Sequence, residues 1–288
     1  MFTRRGLIAA AGVIGTVSVA GCSSDLERRL TNDWRIVIDE TWEQFNPDRW
    51  GVGFINPERW VPDDDATVST SHVSVEDGSC VLQIESNGTG TNGCYQGVIN
   101  SSVGGEGWHP EVGIPIDPTP PTYVEATMKL PGRDGILPAF WMHPADGTWP
   151  PEIDVVELFQ DGSENQRRTY QADLHWSDSG QPGDRSTHRH DPITHFTERN
   201  LTKSMNAYGC AWFDDRVEWY FNGYQIGTRY INGPTRASLL APKSRPFGLI
   251  FSNHVNRIGT ADLSVPWTET MEIDRVRVIQ KQDDDITQ

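Results

Sequence analysis

The sequence predicts an all-β protein built as a sandwich of two antiparallel sheets. Short runs alternate apolar and polar residues at the period of a strand, and clusters of Gly, Pro, Asn and Asp separate them. Helical periodicity is scarce, and neither an internal repeat nor a second domain boundary breaks the pattern. A chain of 288 residues suits one such sandwich, because all-β units often reach this size as single domains.

Taken in order, residues 81–85 alternate cleanly, as do residues 123–130 and 216–221. Asn222-Gly223 follows the last of these and precedes another β-rich run at 224–228. That pair marks a hairpin, since both residues tolerate positive φ. Residues 271–279 alternate as a late strand. Residues 101–121, rich in Gly and Pro, read as a long loop, and so do residues 177–199, which hold His188, His190 and His195.

Residues 1–22 read as an address. Arg4 and Arg5 form a twin-arginine start, an uncharged apolar stretch runs from Gly6 to Ala20, and Val19-Ala20-Gly21-Cys22 resembles a lipoprotein processing box. The stretch is shorter than a membrane-crossing helix needs. Export in the folded state and lipidation of Cys22 are therefore expected, with a plain signal peptide as the alternative. Residues 23–33 form a polar tether, 34–281 the sandwich and 282–288 an acidic tail. The expected location is the outer face of the cell membrane, held by the lipid alone, or outside the cell. There Cys80 and Cys94 could pair across a Gly-rich turn, whereas Cys210 sits in an apolar run as a buried free thiol.

The net charge of −16 argues against nucleic acid and anionic lipid as partners and suits a neutral ligand. Four lysines against 40 acids, with runs such as Asp63-Asp64-Asp65, point to a high-salt habitat. Eleven Trp exceed what one core of this size needs, so some should face a ligand. The eight His and the Cys show no zinc spacing.

The chemistry concentrates in Pro151-Glu152-Ile153-Asp154-Val155-Val156-Glu157. On a strand, Glu152 and Asp154 share a face, and Glu157 joins them only if a bulge at Val155-Val156 resets the parity. Like charges gathered on one face oppose joint ionisation. Glycosidases use such a set: one carboxylate attacks the anomeric carbon and a second protonates the leaving oxygen. An exposed acidic edge and a calcium site are the alternatives.

The flanks favour catalysis. Gly135-Ile-Leu-Pro-Ala-Phe-Trp-Met-His143, followed by Trp149-Pro-Pro-Glu-Ile-Asp-Val-Val-Glu157, resembles glycoside hydrolase family 16. Further segments match in order around Asp39–Trp50, Thr122–Pro131, Asp173–Trp176, Tyr208–Gly223 and Ile273–Val278, so the likeness covers about residues 37–280. It implies a concanavalin A-like β-jelly-roll with a glycan cleft, and retention of configuration through a glycosyl-enzyme. It implies Glu152 as nucleophile, Asp154 as its electrostatic partner, Glu157 as acid/base and His175 near the acid/base. Trp141, Trp149, Trp108 and Trp176 become candidate sugar platforms, with core burial as the other reading of each. The likeness also implies a structural calcium near Asp274, a position equally suited to a solvated Asp at a strand start. No cofactor is required. Leu137 and Ser252-Asn253-His254-Val255 depart from the family pattern and leave the substrate open. The expected protein is a monomeric endo-acting β-glycanase, best matched to a β-1,3-glucan. A transglycosylase remodelling surface glycans and a non-catalytic glycan-binding module are the alternatives.

Overall fold

The computed structural model describes residues 34–54, 64–104, 107–108, 121–163, 165–240 and 246–281. The leader, Cys22, the tether and the acidic tail lie outside them. Two antiparallel sheets face each other, with ten and eight strands among the described residues. The alternating runs become strands Ser79–Asn87, Thr122–Lys129, Arg216–Phe221, Tyr224–Tyr230 and Pro266–Lys281. Asn222 and Gly223 turn the hairpin with φ of 50° and 80°, the left-handed pair that the sequence requires.

The ten-stranded sheet runs through Thr122–Lys129 and Pro266–Lys281, which pair side by side. The eight-stranded sheet carries, in spatial order, His188–His190, Thr169–Ser177, Glu152–Glu157, Ile136–Pro144 and Phe247–Val255. One face of each sheet fills a common core. Leu82, Val124, Ala126 and Met128 from the first sheet meet Phe140, Met142, Ile153 and Phe251 from the second. Burial of these side chains contributes roughly 25 cal/mol per Å² of apolar surface, so this seam holds the sheets together. Trp219 Nε1 also crosses it, donating to the backbone carbonyl of Asp154 at 2.8 Å.

Two expectations need correction, and two features are new. Residues 177–199 are not one loop: a 3-10 turn at Arg185–Thr187 leads into strands His188–His190 and Ile193–Phe196, which both pair with Thr169–Ser177. A helix at Gly233–Leu240 packs on the same strand and had no periodic signal. Cys80 and Cys94 are unpaired and buried, like Cys210. Cys94 lies opposite Ser86, six residues along its strand from Cys80, which separates the two by about 20 Å. Burial pushes the thiols of Cys80 and Cys94 up to about 12. Asp64 is buried and accepts from Gln96 Nε2 at 2.5 Å and from the amides of Ala66 and Val255 at 3.0 Å.

Candidate functional site

The acid strand Glu152–Glu157 lies between Ile136–Pro144 and Thr169–Ser177, and both neighbours register the bulge. Against one, Phe140 faces Val156 and Trp141 faces Asp154, so Val155 has no counterpart. Against the other, Asp154 faces Asp173 and Glu157 faces Gln171, three residues along the acid strand against two along its neighbour. The valines enter the core, and Glu152, Asp154 and Glu157 all line one cleft of about 620 Å³. The bulge therefore performs the parity reset that the sequence demands.

The cleft buries the acids deeply enough to change them. Burial first, and then the Asp154 charge, push both Glu152 and Glu157 up to about 8. Burial and Asp173 raise Asp154 well above the usual carboxylate range. The shared surroundings thus favour protons on the set, and the division of labour asks Glu157 to keep its proton while Glu152 gives its up.

His175 faces the same cleft as the three acids. The register sets it opposite Glu152, and its Nε2 lies 3.1 Å from Asp154 Oδ2 and 3.9 Å from Glu152 Oε1. It borders Glu152 and Asp154 directly and also acts electrostatically on Glu157, which lies beyond the bulge opposite Gln171. His175 Nδ1 shares a hydrogen bond with His188 Nε2 at 2.8 Å. Burial and the neighbouring imidazoles hold His188 below the usual histidine range.

The tryptophans divide by strand parity. Leu137, Ala139, Trp141 and His143 all face the cleft from alternate positions of one strand. Trp149 also lines it, with the Arg185 guanidinium 5.3 Å above its ring. Trp176 does not. Because His175 faces the cleft, the next residue faces inward, and Trp176 packs against the core. Trp108 lies on a two-residue strand paired with Val103–Gly104, and its side chain is outside the described part. Asp274 is exposed and sits at a bulge: Ile273 and Arg275 pair with Met128 and Thr127, leaving it without a counterpart. Among the described residues, no group of three potential ligand side chains includes it.

The departures from the family pattern also acquire a place. Trp141 Nε1 donates to Ser252 Oγ at 3.0 Å, Ser252 Oγ lies 3.3 Å from His254 Nε2, and His254 Nδ1 lies 3.0 Å from Asp64 Oδ2. Ser252 is fully buried and carries the Trp141 N–H. The Ser–His–Asp order therefore anchors an indole and has no access for a nucleophilic role. Phe54 stacks on His254 at 5.5 Å, extending the aromatic wall. Sequence reasoning missed Phe54 and Arg257 in the cleft, and Asp64 buried behind His254, since their partners are remote in the chain.

The comparisons agree with this geometry. The model of glycosyl hydrolases family 16 matches residues 122–265, a span that contains the acid strand and both its neighbours. The chain is 34% identical over 104 residues to the endo-1,3-1,4-β-glycanase ExsH of Rhizobium meliloti (strain 1021), covering 36% of this chain and 20% of that protein. It is 29% identical over 178 residues to glucan endo-1,3-β-glucosidase A1 of Niallia circulans, covering 55% of this chain and 24% of that one. The chain thus spans between a fifth and a quarter of the length of these curated relatives. The fold superimposes on a family 16 endo-glucanase from Bacteroides ovatus with a TM-score of 0.67 at 20% identity, covering 84% of this chain and 100% of that one. A laminarinase from Flavobacterium sp. UMI-01 gives 0.64 at 20% identity, with 85% and 100% covered. The jelly-roll sandwich, the bulged acid strand and the matched segment lead to one conclusion: the chain belongs to glycosyl hydrolases family 16.

Proposed function

We propose that the protein is an endo-acting, retaining β-glycosidase that hydrolyses a neutral β-1,3-linked glucan. One observation carries the reading: a bulge turns Glu152, Asp154 and Glu157 onto the floor of one aromatic-walled cleft. A Glu152 oxygen attacks the anomeric carbon while the glycosidic C–O bond breaks and the Glu157 proton passes to the leaving oxygen. Water, deprotonated by Glu157, then cleaves the glycosyl-enzyme ester, and the configuration is retained. Asp154 and His175 border Glu152 and hold its surroundings polar. Trp141 and Trp149 offer flat apolar faces for sugar rings. This chemistry needs no cofactor.

The substrate choice rests on the relatives' printed activities, which are on β-glucans, and on the net charge of −16, which disfavours a polyanion. A second reading, a sulfated galactan, draws on two arginines. Arg185 and Arg257 line the cleft, and Arg257 has no ion-pair partner among the described residues. The other loop arginines are engaged: Arg167 donates to Gly132 and faces Asp134, Arg168 pairs with Glu198, and Arg189 with Asp178. Initial rates on laminarin, agarose and carrageenan at matched salt should favour laminarin. Faster release from carrageenan would show that Arg185 and Arg257 outweigh the global field. Products longer than the substrate would identify a transglycosylase, and absence of any product a binding module.

The proposal extends to location on sequence grounds alone, with the enzyme tethered outside the cell through Cys22. Cys22→Ser is expected to move the protein from the membrane fraction to the soluble one, or to block its processing. Unchanged membrane association would count against the lipid anchor.

A further inference from the structure

Strand pairing assembles a second constellation that no spacing in the sequence displays. Thr169–Ser177 pairs antiparallel with His188–His190, which sets His190 directly opposite His175. Asp173 precedes His175 by two residues and so shares its face. Asp173 Oδ2 lies 2.8 Å from His190 Nδ1 and 3.5 Å from His175 Nε2. These three atoms lie within 4.8 Å of one another. Donor atoms around a tetrahedral zinc ion with bonds near 2.0–2.1 Å stand about 3.3 Å apart, so small side-chain shifts would suffice.

The surroundings are those of a held site. Asp173 is buried, and its Oδ1 accepts from the amides of Leu174 at 2.7 Å and Asp191 at 3.1 Å, which leaves Oδ2 aimed at the histidines. His175 and His190 are stacked 5.3 Å apart with planes within 12°. His188 fixes the His175 ring from behind through Nδ1, as outer partners of ligating histidines do. Asp154 is 3% exposed, and its Oδ2 has no hydrogen-bond partner although it lies 3.1 Å from His175 Nε2. An unsatisfied buried carboxylate oxygen beside the His175 imidazole, with the Asp173 carboxylate close enough to act on it, is a place where a cation would relieve both charge and desolvation.

We propose that Asp173, His175 and His190 form a binding site for a divalent transition-metal ion of the zinc class, and that its occupation arrests hydrolysis. Two nitrogen donors and one carboxylate select zinc or copper over calcium or magnesium. Arrest follows from position, because the ion would draw in Asp154 Oδ2 and stand beside Glu152, 3.9 Å from His175. Only this arrest rests on the hydrolase reading; the binding itself does not.

Isothermal titration of the full metal-free protein with zinc chloride tests the binding. One ion per chain with a Kd on the order of 1 µM or tighter is expected, and no heat from calcium or magnesium. His190→Ala and, as a check on folding, His190→Gln should each weaken zinc at least about 100-fold while keeping the far-UV spectrum. Zinc should stop release of oligosaccharides from laminarin, EDTA should restore it, and each variant should resist zinc relative to its own metal-free rate. No binding at about 100 µM zinc, or folded variants that bind as tightly as the parent, would overturn the site. Zinc bound at full stoichiometry with an unchanged rate would overturn the arrest. A protein that binds zinc but cuts no glycan at all would leave the site standing and reject the hydrolase reading instead.

Discussion

Glu152→Gln is expected to lower kcat on a β-glucan by at least about 10⁴-fold, a loss near 5 kcal/mol of transition-state stabilisation. The amide keeps the shape of the side chain but has no anionic oxygen to form the ester with the anomeric carbon. Nothing nearby replaces it. Asp154 is two residues along the same face and buried, and Glu157 lies beyond the bulge. Folding should be unaffected, because Glu152 borders the cleft and the core is filled by Ile153, Val155 and Val156. Binding of the polysaccharide should persist, carried by Trp141 and Trp149. Rates are measured with product sizing, and binding by affinity electrophoresis in the same gel matrix. Activity within tenfold of the parent would remove Glu152 from the nucleophile's role.

Loss of the acid should leave a different signature. Glu157→Ala is expected to slow polysaccharide cleavage by roughly 10²–10⁴-fold, the usual range for a general acid. A substrate with an activated leaving group needs no proton, so its first step should survive. Azide entering the emptied space should then give a β-configured glycosyl azide. An α-azide would indicate inversion and reject the two-step mechanism. The same residue sets the alkaline limb. Burial, and then Asp154, push Glu157 up to about 8, so the parent should hold its proton at neutral pH. Its rate should fall as pH rises through about 8, and the variant should lose that limb on the activated substrate. The stability sign follows: a raised carboxyl favours the folded state when protonated, and that advantage disappears as pH climbs from the usual carboxylate range to about 8. Glu157→Gln should therefore melt above the parent at pH 8 and close to it at pH 4.

Much of this site was legible in the chain. The long alternating strands show because eight or nine residues display a period of two several times over. The bulge was legible because three acids and two valines make sense on one strand only if parity is reset once. Short edge strands were not: three residues at His188–His190 cannot display a period, so their pairing, and with it the contact between His190 and His175, stayed hidden. The fate of Trp176 needed only the parity of its neighbour, since His175 in the cleft dictates Trp176 in the core. No apolar periodicity announces Gly233–Leu240, the helix that packs on Thr169–Ser177. The separation of Cys80 from Cys94 depends on register, which a turn-rich spacing does not reveal.

The unmatched Val155 has a consequence for how this strand tolerates changes of length. Without it, the three acids would stand at every second position and still share one face. The acid strand therefore has two in-frame lengths, regular and bulged, and deletion of Val155 would leave Glu157 opposite Ala139 and Gln171 without turning it into the core. Its neighbour has only one. Deleting one residue inside Ile136–Pro144 would exchange Trp141 and Phe140 between cleft and core for the rest of that strand. In this sheet, gaps of one residue are admissible at the chemistry and forbidden beside it.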